Sequence, residues 1–167
     1  MRFFMNGVSK TIASLALFCA LSFCGACGPS TAFNLPADFV ALSDGDLEWR
    51  DYDWKAVNTE GAVVVLRERD NDQGGSLEFW VKALRQEIIE GRGYELIDTT
   101  ELETRNMKGT QLNFQADHAG TAYRYNIAVF VADGGEKIVT VETATRLEDW
   151  ESHRASLEEI VASARFD

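Results

Sequence analysis

The stretch TQLNFQADH, residues 110–118, alternates Leu112, Phe114 and Ala116 with Gln111, Asn113, Gln115 and Asp117. A strict period of two puts the apolar set on one face of a β-strand and the amide and acid set on the other. That is the signature of an antiparallel sheet with one dry face and one wet face. The flanking segments extend it. Upstream, YELIDTTELET (94–104) reads as a partner strand joined through RNMKG, with Gly109 supplying the turn. Downstream, Ala119-Gly120 leads into TAYRYNIAVFVA (121–132), which puts Tyr123, Tyr125, Ile127, Val129 and Val131 on one side. DGGE then turns into KIVTVETAT (137–145).

Two more strands precede this run. EWRDYDWKAV (48–57) places Arg50, Tyr52, Trp54 and Ala56 on one side and mostly acids on the other. After the turn NTEG, AVVVLRERD (62–70) returns as the second half of a hairpin. Two helices are predicted. Ser76 can cap the first, whose Leu77, Trp80, Val81, Leu84 and Ile88 form a single apolar stripe, and Gly91 or Gly93 ends it. The second is LEDWESHRASLEEIVASARF (147–166), with Leu147, Trp150, Leu157, Ile160, Val161 and Ala164 as its buried stripe. The fold class is therefore α+β: an antiparallel sheet of about six strands, packed by a central helix and a C-terminal helix.

The N-terminal region is of a different kind. Arg2 and Lys10 make a basic start, and no acidic residue precedes Asp38. TIASLALFCALSFC (11–24) is apolar over 14 residues, short of the roughly 20 a spanning helix needs. This is the pattern of a secretory signal, residues 1–26, followed by a tether at 27–37 and one domain at 38–167. All three cysteines, Cys19, Cys24 and Cys27, lie in the first 27 residues. The exported domain therefore has no disulfide, no thiolate nucleophile and no cysteine metal site. The region resembles a bacterial lipobox. Gly25 and Ala26 are the small residues wanted before a lipidated Cys27, whereas Phe23 is bulky before the alternative, Cys24. Cleavage without lipidation, leaving a soluble periplasmic or secreted protein, is the other outcome.

The chain carries 16 Lys+Arg against 27 Asp+Glu, a net charge of −11; without Arg2 and Lys10 the remainder stands at −13. Such a surface repels phosphate backbones and anionic headgroups. Nucleic acid is excluded as a partner on this ground, and membrane attachment would have to be covalent, through lipid.

The opening FNLPADF (33–39), a hairpin, one helix, a run of antiparallel strands and a closing amphipathic helix together resemble the PsbP/DcrB-type domain, the group that includes the LpqN-like exported lipoproteins. The resemblance spans residues 32–167, with Phe39 where such domains more often carry Trp. It implies a PsbP-like α/β/α sandwich and a non-enzymatic accessory or binding domain outside the cytoplasm. An unknown envelope protein or small ligand would be the partner, and the resemblance carries over no catalytic residue.

Candidate chemistry is sparse. Against a calcium loop starting at Asp70, Asp72 and Gly75 fall correctly, but position five is Gly74 and position twelve is Val81, where a bidentate Glu is required. His118 could couple to Asp117 with Ser43 or Ser152 as nucleophile, but no serine stands in a nucleophile elbow and strand neighbours point to opposite faces. Only His118 and His153 are present, too few for a multi-histidine metal site. No cofactor is called for. Trp80 and Trp150 fall on helix stripes and are expected in the core, with His153 at the border of the second stripe. Trp49, beside Asp51 and Asp53, is the candidate partner surface. An alternative function, a soluble hydrolase, would use Asp51 and Glu68 on facing strands of the first hairpin.

Overall fold

The computed structural model describes residues 30–42 and 52–167. Its strands are β1 (Thr31–Ala32), β2 (Phe39–Ala41), β3 (Trp54–Asn58), β4 (Val63–Asp70), β5 (Glu95–Glu103), β6 (Lys108–His118), β7 (Thr121–Ala132), β8 (Lys137–Arg146) and β9 (Arg165–Phe166). Two helices, α1 (Leu77–Gln86) and α2 (Trp150–Ala162), complete the α+β fold. β2 to β8 form one antiparallel sheet in the order β2-β3-β4-β8-β7-β6-β5.

The sheet is covered on both faces, as the expected sandwich requires. Because side chains alternate, each central strand feeds two cores. On one face Val64, Leu66, Ala128, Phe130, Val139 and Val141 pack with Leu157 and Ile160 of α2. On the other, Leu112, Phe114, Ile127, Val129 and Ile138 pack with Ile88 and the half-buried stripe Leu77, Trp80, Val81 and Leu84 of α1. Ser76 caps α1, its Oγ accepting from the Phe79 amide at 3.2 Å. The helix widens into a π turn over Glu87–Gly91 and stops at Gly93, whose φ of 71° suits glycine.

Several expectations need correction. The sheet has seven strands rather than about six. The extra one, β2, is only three residues long, carries no readable alternation and exists through pairing with β3. Gly109 is not in the turn. It lies inside β6, where a Cβ would stand 2.5 Å from the Val129 carbonyl oxygen and run into the Phe130 ring. The reversal is made instead by Thr104, whose amide donates to the Met107 carbonyl at 2.9 Å. The second helix starts at Trp150 after a 3-10 turn over Leu147–Asp149, and its last residues turn back into β9.

The tether is also shorter than expected. β9 pairs with β1 in a separate two-stranded ribbon, so Thr31 and Ala32 belong to the folded domain. Phe33 meets the Trp54 ring edge-on at 4.6 Å between centroids. Glu68 holds the entry point, accepting from the Ser30 amide at 3.1 Å and the Thr31 amide at 2.5 Å.

Trp80 and Trp150 are half-buried rather than in the core: the whole α1 stripe around Trp80 is half-buried, and Trp150 is the first residue of α2. His153 is buried within the α2 stripe, not beside it. Asn58 Oδ1 accepts from the Ala62 amide at 2.8 Å, which leaves its Nδ2 to donate to His153 Nδ1 at 3.3 Å. His153 Nε2 then lies 3.1 Å from a Glu60 carboxylate oxygen.

Candidate functional site

Only part of the wet face of β6, Gln115 and Asp117, looks out to bulk water. Gln111 and Asn113 form the floor of a cleft of about 460 Å³ between the β5-β6-β7 end of the sheet and the outer edge of α2. Arg124 and Asn126, two residues apart on β7, point the same way, and Trp150 and Arg154 of α2 form the opposite wall. Register puts Asn113 across from Asn126, and Asn126 across from Thr143. A polar row therefore crosses the sheet under the helix, at a place where an apolar row would be the usual solution.

Most members of the row satisfy one another. Asn113 donates through Nδ2 to Asp98, and its Oδ1 accepts from Gln111 Nε2 at 2.7 Å. Arg154 pairs with Glu158 one helical turn on, at 2.8 Å. Two atoms are left over. Asn126 is only 5% exposed and donates to Thr143 Oγ1 at a long 3.4 Å, while its Oδ1 is buried without a partner. Arg124 Nε is likewise buried without a partner. Its guanidinium lies over the Trp150 ring, 5.2 Å from the centroid. A buried donor and a buried acceptor left open in one cleft cost stability unless something binds there.

A larger cavity of about 730 Å³ opens between the loop around Asn71 and the loop around Gly135. Its central polar group is already engaged. Asn71 Nδ2 donates to the Gly75 carbonyl at 2.9 Å and the Gly135 carbonyl at 2.7 Å, and its Oδ1 accepts from Gly75 N and Trp80 Nε1, each at 3.0 Å. This is a clamp between two loops.

The residues singled out in the sequence do not assemble into a site. Cys24, Cys27, Ser43, Trp49 and Asp51 lie outside the described residues. Asp53 closes the first hairpin, accepting from the Glu68 amide at 2.6 Å and from Arg69 at 2.9 Å. Glu68 points its carboxylate at the Ser30 and Thr31 amides, which is a structural use of the group. Asp70 pairs with Lys137 at 2.5 Å, and that contact holds its carboxyl below the usual aspartate range. His118 sits exposed at the end of β6. Ser152 Oγ donates to the Asp149 carbonyl at 2.7 Å, within the first turn of α2.

Sequence reasoning missed Arg124 and Asn126. The available signal was the wet period of β6 continued across the register: Asn113 faces Asn126, and Arg124 is its next neighbour on the same face.

On the opposite face of the sheet, Tyr125 donates to Glu142 at 2.7 Å, and Arg67 pairs with the other oxygen of that carboxylate. Burial, reinforced by Glu142, holds the phenol well above the ordinary tyrosine range.

Among solved structures the fold is similar to that of LpqN of Mycobacterium tuberculosis, described as involved in cell envelope biogenesis. The TM-score is 0.62 at 14% identity, over 84% of this chain and 85% of that one. The cyanobacterial PsbP of Synechocystis is similar at TM-score 0.54 and 14% identity, over 88% and 99%. The Ran-binding protein Mog1p of Saccharomyces cerevisiae is similar at TM-score 0.57 and 12% identity, over 82% and 90%. The chain thus has the PsbP-like, LpqN-like fold that its element order suggests. No protein-family model matches the sequence, and no curated protein matches it.

Proposed function

We propose that this is an exported bacterial envelope protein, lipid-anchored through Cys27, whose domain binds a ligand or partner and carries out no catalysis. The observation that carries the binding reading is the cleft under α2, with Arg124 Nε and Asn126 Oδ1 buried and open on its floor. Open polar groups at a concave surface are what a binding site leaves when its ligand is away. The binding reading is favoured over the hydrolase alternative by Glu68, whose carboxylate already accepts two backbone amides. The envelope reading draws on the basic, apolar, small-residue N-terminus and on the likeness to LpqN. No helix among the described residues is long and apolar enough to cross a membrane.

Detergent phase partitioning tests the anchor. Wild type enters the detergent phase and Cys27→Ala stays in the aqueous phase; loss with Cys24→Ala instead moves the anchor to Cys24, and an aqueous wild type overturns it. Photo-crosslinking in intact cells tests the cleft. A probe at Thr100, on the cleft wall, gives an adduct that a probe at Glu78 on the exposed side of α1 does not. Equal labelling from both positions removes the cleft as the binding surface.

A further inference from the structure

The open groups of the cleft define what fits it. Even with 27 acidic residues in the chain, Arg124 has no carboxylate partner among the described residues. Arg67, Arg69, Arg92, Arg146, Arg154 and Arg165 each have one, and Arg85 and Arg105, which share the lack, are exposed. Arg124 is half-buried with its guanidinium over the Trp150 ring, so its free edge is a planar fork held in place. A planar fork of N–H donors matches a carboxylate, and a bound carboxylate would supply the missing counter-charge. Two residues along the same strand face, Asn126 Oδ1 needs an N–H or O–H. The ligand therefore carries an acceptor anion and, close beside it, a hydrogen-bond donor.

Charge and shape narrow it further. Asp98 stands on the cleft wall and the domain as a whole is acidic, so one guanidinium balances one negative charge and a phosphate dianion is disfavoured. At the far end of the cleft from Arg124, Leu102 of β5 and Val161 of α2 add apolar surface. About 460 Å³ is the size of a small-molecule site, enough for one or two amino-acid residues.

We propose that the α2 cleft binds an α-substituted carboxylate, with the carboxylate on Arg124 and the α N–H or O–H on Asn126 Oδ1. This rests on the binding reading above and names its ligand chemistry. Two sources present this group: a free amino or hydroxy acid, and the C-terminal residue of a peptide.

The test is a titration of the purified protein, followed by calorimetry and by the NMR signals of the Arg124 Nε–H and the Asn126 side-chain amide. The probes are L-leucine, N-acetyl-Gly-Gly-Leu, the carboxamide of each, and 4-methylpentanoate, which lacks the α donor. The carboxylate probes shift both signals. Their carboxamides bind at least about tenfold more weakly, and 4-methylpentanoate several-fold more weakly than leucine. Comparable binding of leucine and the peptide assigns the site to free acids, and binding at least about tenfold tighter for the peptide assigns it to chain ends. Arg124→Gln abolishes binding. Arg124→Lys keeps the stem and charge for packing but loses the fork, and binds about tenfold more weakly. The proposal is overturned if the carboxamides bind as well as the acids, or if Arg124→Lys binds as wild type. It is also overturned if no carboxylate probe moves either signal at about 20 mM, the range of a very weak site. Crosslinking that still maps to Thr100 in that case keeps the binding reading and removes only its ligand.

Discussion

The Arg124 guanidinium lies over the Trp150 ring, 5.2 Å from its centroid, and this contact ties the central strand β7 to the first turn of α2. An exposed cation–π contact is worth under about 1 kcal/mol, and a partly desolvated one about twice that. Trp150 also packs against the α2 core, so its loss has two parts. Trp150→Ala is expected to destabilise the protein by about 2 kcal/mol, and Trp150→Phe, which keeps a ring face, by about half of that. Chemical denaturation of the two variants checks this. Equal losses would show that the ring face contributes nothing beyond bulk.

Glu68 fixes the start of the domain. Its carboxylate holds the Ser30 and Thr31 amides, and the β1–β9 ribbon and the Phe33–Trp54 ring pair follow from that placement. Glu68→Ala is expected to cost about 1–2 kcal/mol, the price of two charge-assisted hydrogen bonds at a half-exposed site. Hydrogen exchange at Thr31 and Ala32 should speed up by about tenfold or more, with β6 and β7 unchanged. An unchanged exchange rate at Thr31 would remove Glu68 as the anchor of the ribbon.

The fold was largely readable and the site was not, for a physical reason visible in β6 and β7. Leu112, Phe114 and Ala116 alternate, and burial of one strand face leaves that mark in sequence. β2 left no mark, since three residues held by register with β3 need no pattern of their own. The cleft depends on α2 standing beside Gln111 and Asn113 of β6, and the strand's own period is the same whether that face meets water or borders a cleft. On β7 both faces are buried around Asn126, so a lone polar residue there stood out from nothing. The helix stripes overstated burial for the same reason: periodicity gives the side of Trp80 and Trp150, but the width of the contact decides their depth.

Gly109 is required by close packing rather than by backbone angle. A Cβ there would meet the Val129 carbonyl oxygen at 2.5 Å and the ring of Phe130, its cross-strand partner. Gly109→Ala is expected to cost about 2 kcal/mol, the usual scale for forcing an atom into a filled core. Phe130→Leu shortens the ring side of the clash but leaves the carbonyl in place. In a double-mutant cycle the pair should therefore cost less than the two single changes combined, by about 1 kcal/mol. Strict additivity would place the strain at Val129 alone.

Tyr125 makes stability depend on alkaline pH. Burial first, then the Glu142 carboxylate, raise its pKa in the folded protein, and Arg92 and Arg67 offset this only in part. In the unfolded chain the phenol ionises near its ordinary value of about 10. Above that pH the unfolded state has released a proton that the folded state still holds, so it binds fewer protons and stability falls as pH rises. The contribution is thus fully present below about pH 10 and is lost progressively above it, up to the raised folded pKa. Denaturant midpoints measured at neutral pH and above about pH 10 should separate for wild type and separate less for Tyr125→Phe. Phenolate absorbance should show Tyr125 silent until the protein unfolds. A Tyr125 signal titrating near its ordinary value in the folded protein would mean the phenol is not held by Glu142.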